Sequence, residues 1–276
     1  MKEGTLKYGG YVLFALAVLL FFAWLRMPSE TVRSLVMYAL SKNQAEVQIR
    51  FDSAQFAFPF GIMLTGFSAQ RQEGRGWRID VETLTAHPSF SSLATGHLAL
   101  RIQAATMGGR IDGEIAFRNR FAASGPLQAQ LRFDSINTAD CAWLAGVLGR
   151  QVWGRVDGQI RFSGLPQQWT AGSGHLEILL INGRVPFQAP LFGLDEMTFT
   201  RIEGNMDLEN GTLKVTRFQL AGENIQGAFQ GNVHLEGDVS LSRLALRGDV
   251  NLPAAGSDRF AVEVAGTVAS PVVKPI

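Results

Sequence analysis

Residues Gly109–Phe117 read Gly-Arg-Ile-Asp-Gly-Glu-Ile-Ala-Phe, and residues Gly154–Phe162 read Gly-Arg-Val-Asp-Gly-Gln-Ile-Arg-Phe, 45 positions later. Six of the nine positions are identical, and the differences Ile/Val and Glu/Gln are conservative. Apolar and polar side chains alternate in both copies, which predicts β-strands with one apolar and one polar face. A strand-sized unit that recurs predicts a sheet extended by duplication, in which each unit buries its edge against the next.

The same period of two continues on both sides of the repeat, from Ala45 to the end of the chain. We therefore expect a mainly β protein with an extended, curved, mostly antiparallel repeat sheet. Asn182-Gly183 and Asn210-Gly211 are each predicted to form a hairpin turn. The apolar face of this sheet is predicted to contain Ile49, Phe51, Phe58, Ile111, Ile115, Phe117, Leu131, Phe133, Val156, Ile160, Phe162, Phe229, Val233, Leu246, Val262 and Val264.

Two short helices are predicted, one over Pro28–Lys42 and one over Thr138–Leu148, capped by Asn137 and ended by Gly149. They are too short to cover the apolar rows of about a dozen strands. The apolar face therefore either closes on itself, as a sandwich or barrel, or curls into a trough filled by another molecule. Both alternatives fit the pattern. A trough lined by Phe, Ile, Val and Leu would suit acyl chains.

The segment Tyr8–Leu25 contains no charged residue, and as a helix it would cover about 27 Å, close to one hydrocarbon core. We expect an uncleaved single transmembrane anchor; a cleaved signal peptide is the alternative. The predicted anchor residues are Tyr8, Tyr11, Leu13, Phe14, Leu19, Leu20, Phe22, Trp24 and Leu25. The expected organisation is a short cytoplasmic tail with the anchor (1–27), an amphipathic connecting helix (28–44) and an exported β-repeat domain (45–276).

Residues with catalytic potential are few and scattered. His87, His97, His175 and His234 lie far apart, and Cys141 lies on the apolar stripe of a predicted helix. Asp112 and Asp157 each follow an Arg by two residues on the polar face, which favours a cross-strand or turn role over catalysis. We therefore expect no enzyme activity, no cofactor and no metal. Lys and Arg number 25 against 24 Asp and Glu, which gives no reason to expect nucleic acid.

The single N-terminal span, the following amphipathic helix, the Gly-x-Ile/Val-x-Gly-x-Ile-x-Phe strands and the closing Gly266-Thr267-Val268-x-x-Pro271 together resemble the type II secretion system protein N family. That family is in turn similar to AsmA-like and bridge-like lipid-transfer proteins. The resemblance implies a Gram-negative inner-membrane protein with a periplasmic β domain and no catalytic motif.

Two functions follow as hypotheses. The first is an accessory or structural component of the type II secretion machinery, with the inner membrane and other secretion subunits as partners. The alternative is a groove that binds phospholipid or another acyl-chain ligand, or passes it between the inner and outer membranes.

Overall fold

The computed structural model describes residues 30, 33–34, 37, 47–58, 60–71, 78–89, 92, 98–118, 125–191, 194–252 and 258–276. All nine predicted anchor residues lie outside these ranges. Within them, no helix combines the length and apolar character needed to cross a membrane. Four residues of the predicted connecting helix are described, Glu30, Arg33, Ser34 and Met37, and all four are helical and exposed. Their spacing places them on one side of a helix.

Fifteen strands form a single antiparallel sheet, so the mainly β prediction is confirmed. The strands are β1 (Val47–Arg50), β2 (Ser53–Ala57), β3 (Gly61–Arg71), β4 (Arg78–Pro88), β5 (Leu98–Thr106), β6 (Gly109–Phe117), β7 (Leu127–Asn137), β8 (Trp153–Gly164), β9 (Ser173–Leu191), β10 (Leu194–Glu209), β11 (Thr212–Ala221), β12 (Gln226–His234), β13 (Arg243–Leu252), β14 (Asp258–Gly266) and β15 (Pro271–Pro275). The first repeat copy is β6, and the second lies within β8.

The strand order follows the chain. From β3 to β15 every strand pairs with its neighbours in sequence, and at the N-terminal edge β1 and β2 pair with successive parts of β3. Across the described strands, no pairing joins β15 back to β1 or β2. The hydrogen-bonded sheet is therefore an open meander with two edges.

Irregularities bend this sheet at matched positions on neighbouring strands. The β7–β8 and β8–β9 registers shift beside Ser135 and Gly154, which have φ values of 57° and 150°. The prediction of a hairpin at Asn182-Gly183 was wrong: β9 continues through it, and Asn182 has φ 50° inside the strand. The positive φ that Asn tolerates serves a kink in the strand instead of a turn. Asn210-Gly211 does form the predicted hairpin, with φ 47° and 78°.

The predicted Thr138–Leu148 helix is divided into a 3₁₀ turn, Thr138–Asp140, and an α-helix, α1 (Ala142–Leu148). Asn137 caps the 3₁₀ turn by accepting a hydrogen bond from the Ala139 amide, 3.2 Å away. The two pieces are separated at Cys141, whose ψ of 83° is not helical. Gly149 ends α1 in the left-handed region, as the sequence predicts.

Helix α1 relates two distant parts of the sheet. Its Cα atoms come within 8 Å of β4 and also of the 3₁₀ turn Val239–Leu241, which connects β12 to β13. These two elements lie eight strands apart in the sheet order. The sheet must therefore curl so that both approach the same short helix.

Two clusters of buried side chains hold the sheet. The smaller contains Phe51, Ala54 and Leu64 at the N-terminal edge. The larger lies in the C-terminal strands and consists of Phe199, Ile202, Leu220, Ile225, Val250, Leu252 and Val262. Six of its seven members lie on β10, β11, β13 and β14, and the seventh, Ile225, directly precedes β12.

Candidate functional site: the apolar face of the sheet

The pairing registers align the predicted apolar residues across the sheet. In one row, Ile111 lies beside Phe133, which lies beside Gly158, which lies beside Ile178. The row continues through Gly204, Phe218, Phe229, Gly248 and Val262. We call the side of β5–β14 that carries this row the apolar face, and the opposite side the polar face.

Each glycine of the row lies between two larger side chains on the neighbouring strands. A Cβ added to Gly158 would lie 2.6 Å from Cε2 of Phe133, and one added to Gly248 would lie 2.7 Å from Cδ1 of Phe229. At Gly113 the Leu131 Cδ2 atom would be 2.7 Å away. The large side chain of the neighbouring strand thus lies over the glycine of the repeat. The atoms are packed so closely there that an added methyl group would displace that side chain.

Buried side chains on the apolar face are more frequent in the C-terminal strands than in the repeat strands. None of the apolar-face residues of the repeat is buried: Ile111, Gly113, Ile115, Phe117, Val156, Gly158, Ile160 and Phe162 are all half-buried. In the C-terminal strands, by contrast, Ile202, Leu220 and Val250 are buried and Val262 is 0% exposed, although Phe218 and Phe229 beside them are half-buried. We call β5–β9 of this face the open region and β10–β14 the closed region. Apolar surface that stays accessible over several adjacent strands is typical of a binding surface.

The structure places the other predicted residues as follows. Leu131 and Phe133 belong to the open region, and Phe229, Val233, Leu246, Val262 and Val264 belong to the closed one. Ile49 is half-buried on β1, and Phe51 is buried in the smaller cluster. Phe58 lies on neither face: it is part of the turn between β2 and β3 and is 74% exposed. Pro59 and Gly61 interrupt the period-two pattern at this turn, so the phase of Phe56 does not carry over to a strand position for Phe58.

The acidic residues of the repeat organise the polar face. Asp157 accepts a hydrogen bond from the Ser135 amide at 2.7 Å, which satisfies the backbone at the β7 irregularity. Arg110 lies 3.6 Å from Asp112 and donates to Asp134 at 2.8 Å. Hydrogen bonds from Ser135 and Arg110 lower the pKa of the Asp134 carboxyl. The expected cross-strand role is confirmed for Asp157, whereas the ion pair of Asp112 is with Arg110 of its own strand.

One histidine has carboxylate partners that the sequence did not indicate. His175 Nδ1 lies 2.6 Å from Asp207 Oδ1, and its Nε2 lies 2.9 Å from Glu177 Oε1. Gln159 donates to the other Glu177 oxygen at 2.5 Å. The Asp207 and Glu177 carboxylates raise the pKa of His175, and the His175 and Gln159 hydrogen bonds lower the pKa of Glu177. The register of β9 with β10 brings Asp207 beside His175, and the register of β8 with β9 brings Gln159 beside Glu177.

The polar face also has two open concavities, of about 460 and 690 Å³, which share Arg201 and Glu203 in their linings. Glu203 forms ion pairs with Arg201 and with Arg217, so the charges at their junction are largely compensated. No group of three His, Cys, Asp or Glu side chains among the described residues could hold a metal ion. The polar face thus carries ion pairs both within strands and between them.

Cys141 is half-buried at the start of α1, and burial raises the pKa of its thiol. A raised pKa keeps a thiol protonated at neutral pH, which is the opposite of what a nucleophile needs.

No protein-family model matches the chain, and neither the curated proteins nor the solved structures contain a significantly similar one.

Proposed function

We propose that this protein is a non-catalytic envelope protein that holds acyl chains against the open region of its apolar face. The observation that supports this function is the accessibility of that region. On four consecutive strands, β6–β9, most aliphatic and aromatic side chains of the apolar face stay half-buried, whereas Ile202, Leu220, Val250 and Val262 of the closed region are buried. A bound lipid tail would remove this surface from water, at about 25 cal/mol per Å² of apolar area.

The geometry suits a chain-like ligand more than a compact one. Strands in a sheet are about 4.8 Å apart, so β5–β9 span about 19 Å along the hydrogen-bonding direction. Glycines 113 and 158 alternate with Leu131 and Phe133 along that direction, which gives a surface of ridges and depressions. Specific polar groups on this face are scarce, so we expect selection for an apolar tail and little selection for a headgroup.

Photolabelling of the full chain tests this function. The detergent-purified protein is incubated with a fatty acid that carries a photoactivatable diazirine, irradiated and digested, and the labelled peptides are mapped by mass spectrometry. We expect labels in β6–β8. Ile160→Glu should reduce labelling several-fold, because a carboxylate on this face cannot be desolvated beside an acyl chain.

The matched control is Gln128→Glu, which adds the same charge on the polar face of β7, where Gln128 is exposed. Thermal melting must show that both variants fold, and Ile115→Gln is the milder replacement if Ile160→Glu does not. Equal labelling of all variants, or labels confined to other strands, would refute lipid binding at the open region.

An accessory role in type II secretion is a second candidate, supported by the two open sheet edges. In the described part of the chain, β15 pairs only with β14, and β1 and β2 pair only with β3. Edge strands accept further strands from partner proteins. This role predicts that secretion subunits cross-link to the edges and that deletion of the gene stops export across the outer membrane. Normal export in the deletion strain would contradict it.

A further inference from the structure

The smaller concavity of the polar face, of about 460 Å³, lies on the opposite side of the sheet from the closed region. Ala221 on β11 and Ala228 on β12 line it, and both are exposed. The registers place longer side chains beside them, Arg201 beside Ala221 and Asp249 beside Ala228. Short side chains surrounded by long ones leave a depression, and its volume is typical of sites for small molecules.

One polar atom in the lining of this concavity has no hydrogen-bond partner. The Oδ1 atom of Asn251, on β13, is enclosed, and no donor in the described part of the chain reaches it. An enclosed carbonyl oxygen without a donor destabilises a protein, and such atoms are rare in native structures. A ligand that donates a hydrogen bond to Asn251 would remove this penalty.

The charged side chains of the lining are already paired with one another. Arg259 lies 3.5 Å from Asp249, and Arg201 forms an ion pair with Glu203. Two arginines and two carboxylates give the lining no net charge, so it attracts neither anions nor cations strongly. The concavity therefore favours a neutral polar ligand over an ion.

Two uncharged amides lie side by side in this lining. Gln226 on β12 is exposed, and the register places it beside Asn251. A side-chain amide carries both N–H donors and a carbonyl acceptor, and a hydroxyl group matches either of them because it both donates and accepts. The neighbouring guanidinium groups donate and the carboxylates accept. A ligand with several hydroxyl groups can therefore bind all of these side chains without separating the ion pairs.

We propose that the smaller concavity of the polar face binds a saccharide through its hydroxyl groups. One hydroxyl donates a hydrogen bond to Asn251 Oδ1, and others bind the Gln226 amide and the paired charges around it. This site and the region proposed to hold acyl chains lie on opposite faces of the sheet. The inference therefore does not rest on the proposed function.

Saturation-transfer difference NMR tests this site, because it detects weak binding of small molecules to a large protein–detergent particle. The full chain is purified in lauryldimethylamine oxide, a detergent without a sugar headgroup, and is titrated with maltose or with N-acetylglucosamine. We expect saturation transfer to the ring protons of at least one of these probes. Asn251→Leu should weaken the apparent affinity at least about tenfold, because leucine has a similar volume and accepts no hydrogen bond.

The matched control is Asn232→Leu, the same change at an exposed position of β12 that lines neither concavity. It should change the affinity less than about twofold. If Asn251→Leu does not fold, Ala228→Leu is the second test, because it fills the depression while leaving Asn251 in place, and it should abolish binding.

Three outcomes would overturn the proposal. The first is the absence of saturation transfer to both sugars at millimolar concentration, which would mean that only water reaches Asn251. The second is an equal affinity of the wild type, the control and the two concavity variants. The third is binding of inorganic phosphate in place of the sugars, since the arginines would then hold an anion.

Discussion

The open and closed regions of the apolar face have the same kind of sequence and differ in burial. Ile160 on β8 and Val262 on β14 each occupy an apolar position in a strand that alternates regularly. Ile160 pairs with Leu131 and Leu176, and Val262 pairs with Gly248 and Pro275. Ile160 keeps part of its surface accessible, whereas Val262 has none. The difference shows that alternation decides which side of a strand is apolar, while the curl of the sheet decides whether that side is covered.

The largest expected effect comes from charging the closed region. Val262→Asp would place a carboxylate at a site without access to water, and no basic side chain of the described apolar rows faces it. We expect the free energy of unfolding to fall by at least about 4 kcal/mol, which is enough to abolish cooperative unfolding. Circular dichroism melting measures this.

Val272→Asp is the control, because Val272 on β15 is 47% exposed. This variant should lower the free energy of unfolding by less than about 1 kcal/mol. A folded Val262→Asp protein with a near-normal midpoint would mean that water reaches the closed region.

Shortening one isoleucine of each region to alanine compares how much the two regions contribute to stability. We expect Ile202→Ala in the closed region to destabilise the protein by about 2–5 kcal/mol, and Ile160→Ala in the open region by about half as much, because less surface is recovered from water at position 160. Urea denaturation of both variants gives the comparison.

A bound acyl chain should change this ranking. With a saturating fatty acid present, the proposed function predicts that the loss of stability at position 160 grows while the loss at 202 stays constant, since only Ile160 would contact the ligand. Equal losses without ligand would erase the distinction between the regions.

The large-over-small pairing predicts a smaller effect at the repeat glycine. Gly158→Ala forces the Phe133 ring to move and also brings the new Cβ against the Glu177 carbonyl oxygen, so we expect a loss of about 1–3 kcal/mol. Differential scanning calorimetry is a suitable measurement.

Gly146→Ala in α1 is its counterpart, since a Cβ there would meet no atom within 4 Å. In a helix this change should stabilise by about 0.5–1 kcal/mol. If both variants changed the free energy of unfolding in the same direction, this would argue against close packing over Gly158.

The smallest effect belongs to the polar face. The raised pKa of His175 means that its contribution to stability is complete below its ordinary value of 6.5 and is lost as pH rises through the folded value. The lowered pKa of Glu177 means that its contribution is present above 4.5 and is lost as pH falls through the folded value. The stability difference between the wild type and His175→Gln should therefore be largest between these two values.

Its size should stay below about 1 kcal/mol, because the partner carboxylates are well exposed to solvent. Urea titrations at about pH 5.5 and pH 8.5 test this, with His234→Gln as the control, since His234 is exposed. A difference that does not depend on pH would exclude the His175 contacts in solution.

The sequence predicts the elements well where local patterning decides them. Gly109–Phe117 and Gly154–Phe162 are strands, Asn210-Gly211 is a hairpin turn, and Gly149 ends a helix. It fails at Asn182, because a residue that tolerates positive φ fits a kink within a strand as well as a turn. It also fails at Phe58, where a proline and a glycine reset the phase.

The division of the apolar face was beyond sequence reasoning for a physical reason. Whether Ile160 is covered depends on the accumulated bend across several strands, which no single strand encodes. The His175 contacts were missed in the same way, because Asp207 is 32 residues away and reaches His175 only through the β9–β10 register.

The order of the strands has a consequence for how the chain reaches this structure. Since β3 to β15 each pair with the strand before and after them in sequence, every contact in the sheet closes a short loop, and the entropy lost per contact is small. A chain of this kind can add one hairpin at a time in the order in which it is synthesised, with each new strand covering the edge left by the last. The edge exposed at any moment is then a single strand long, which limits the time during which partly folded chains can pair with one another.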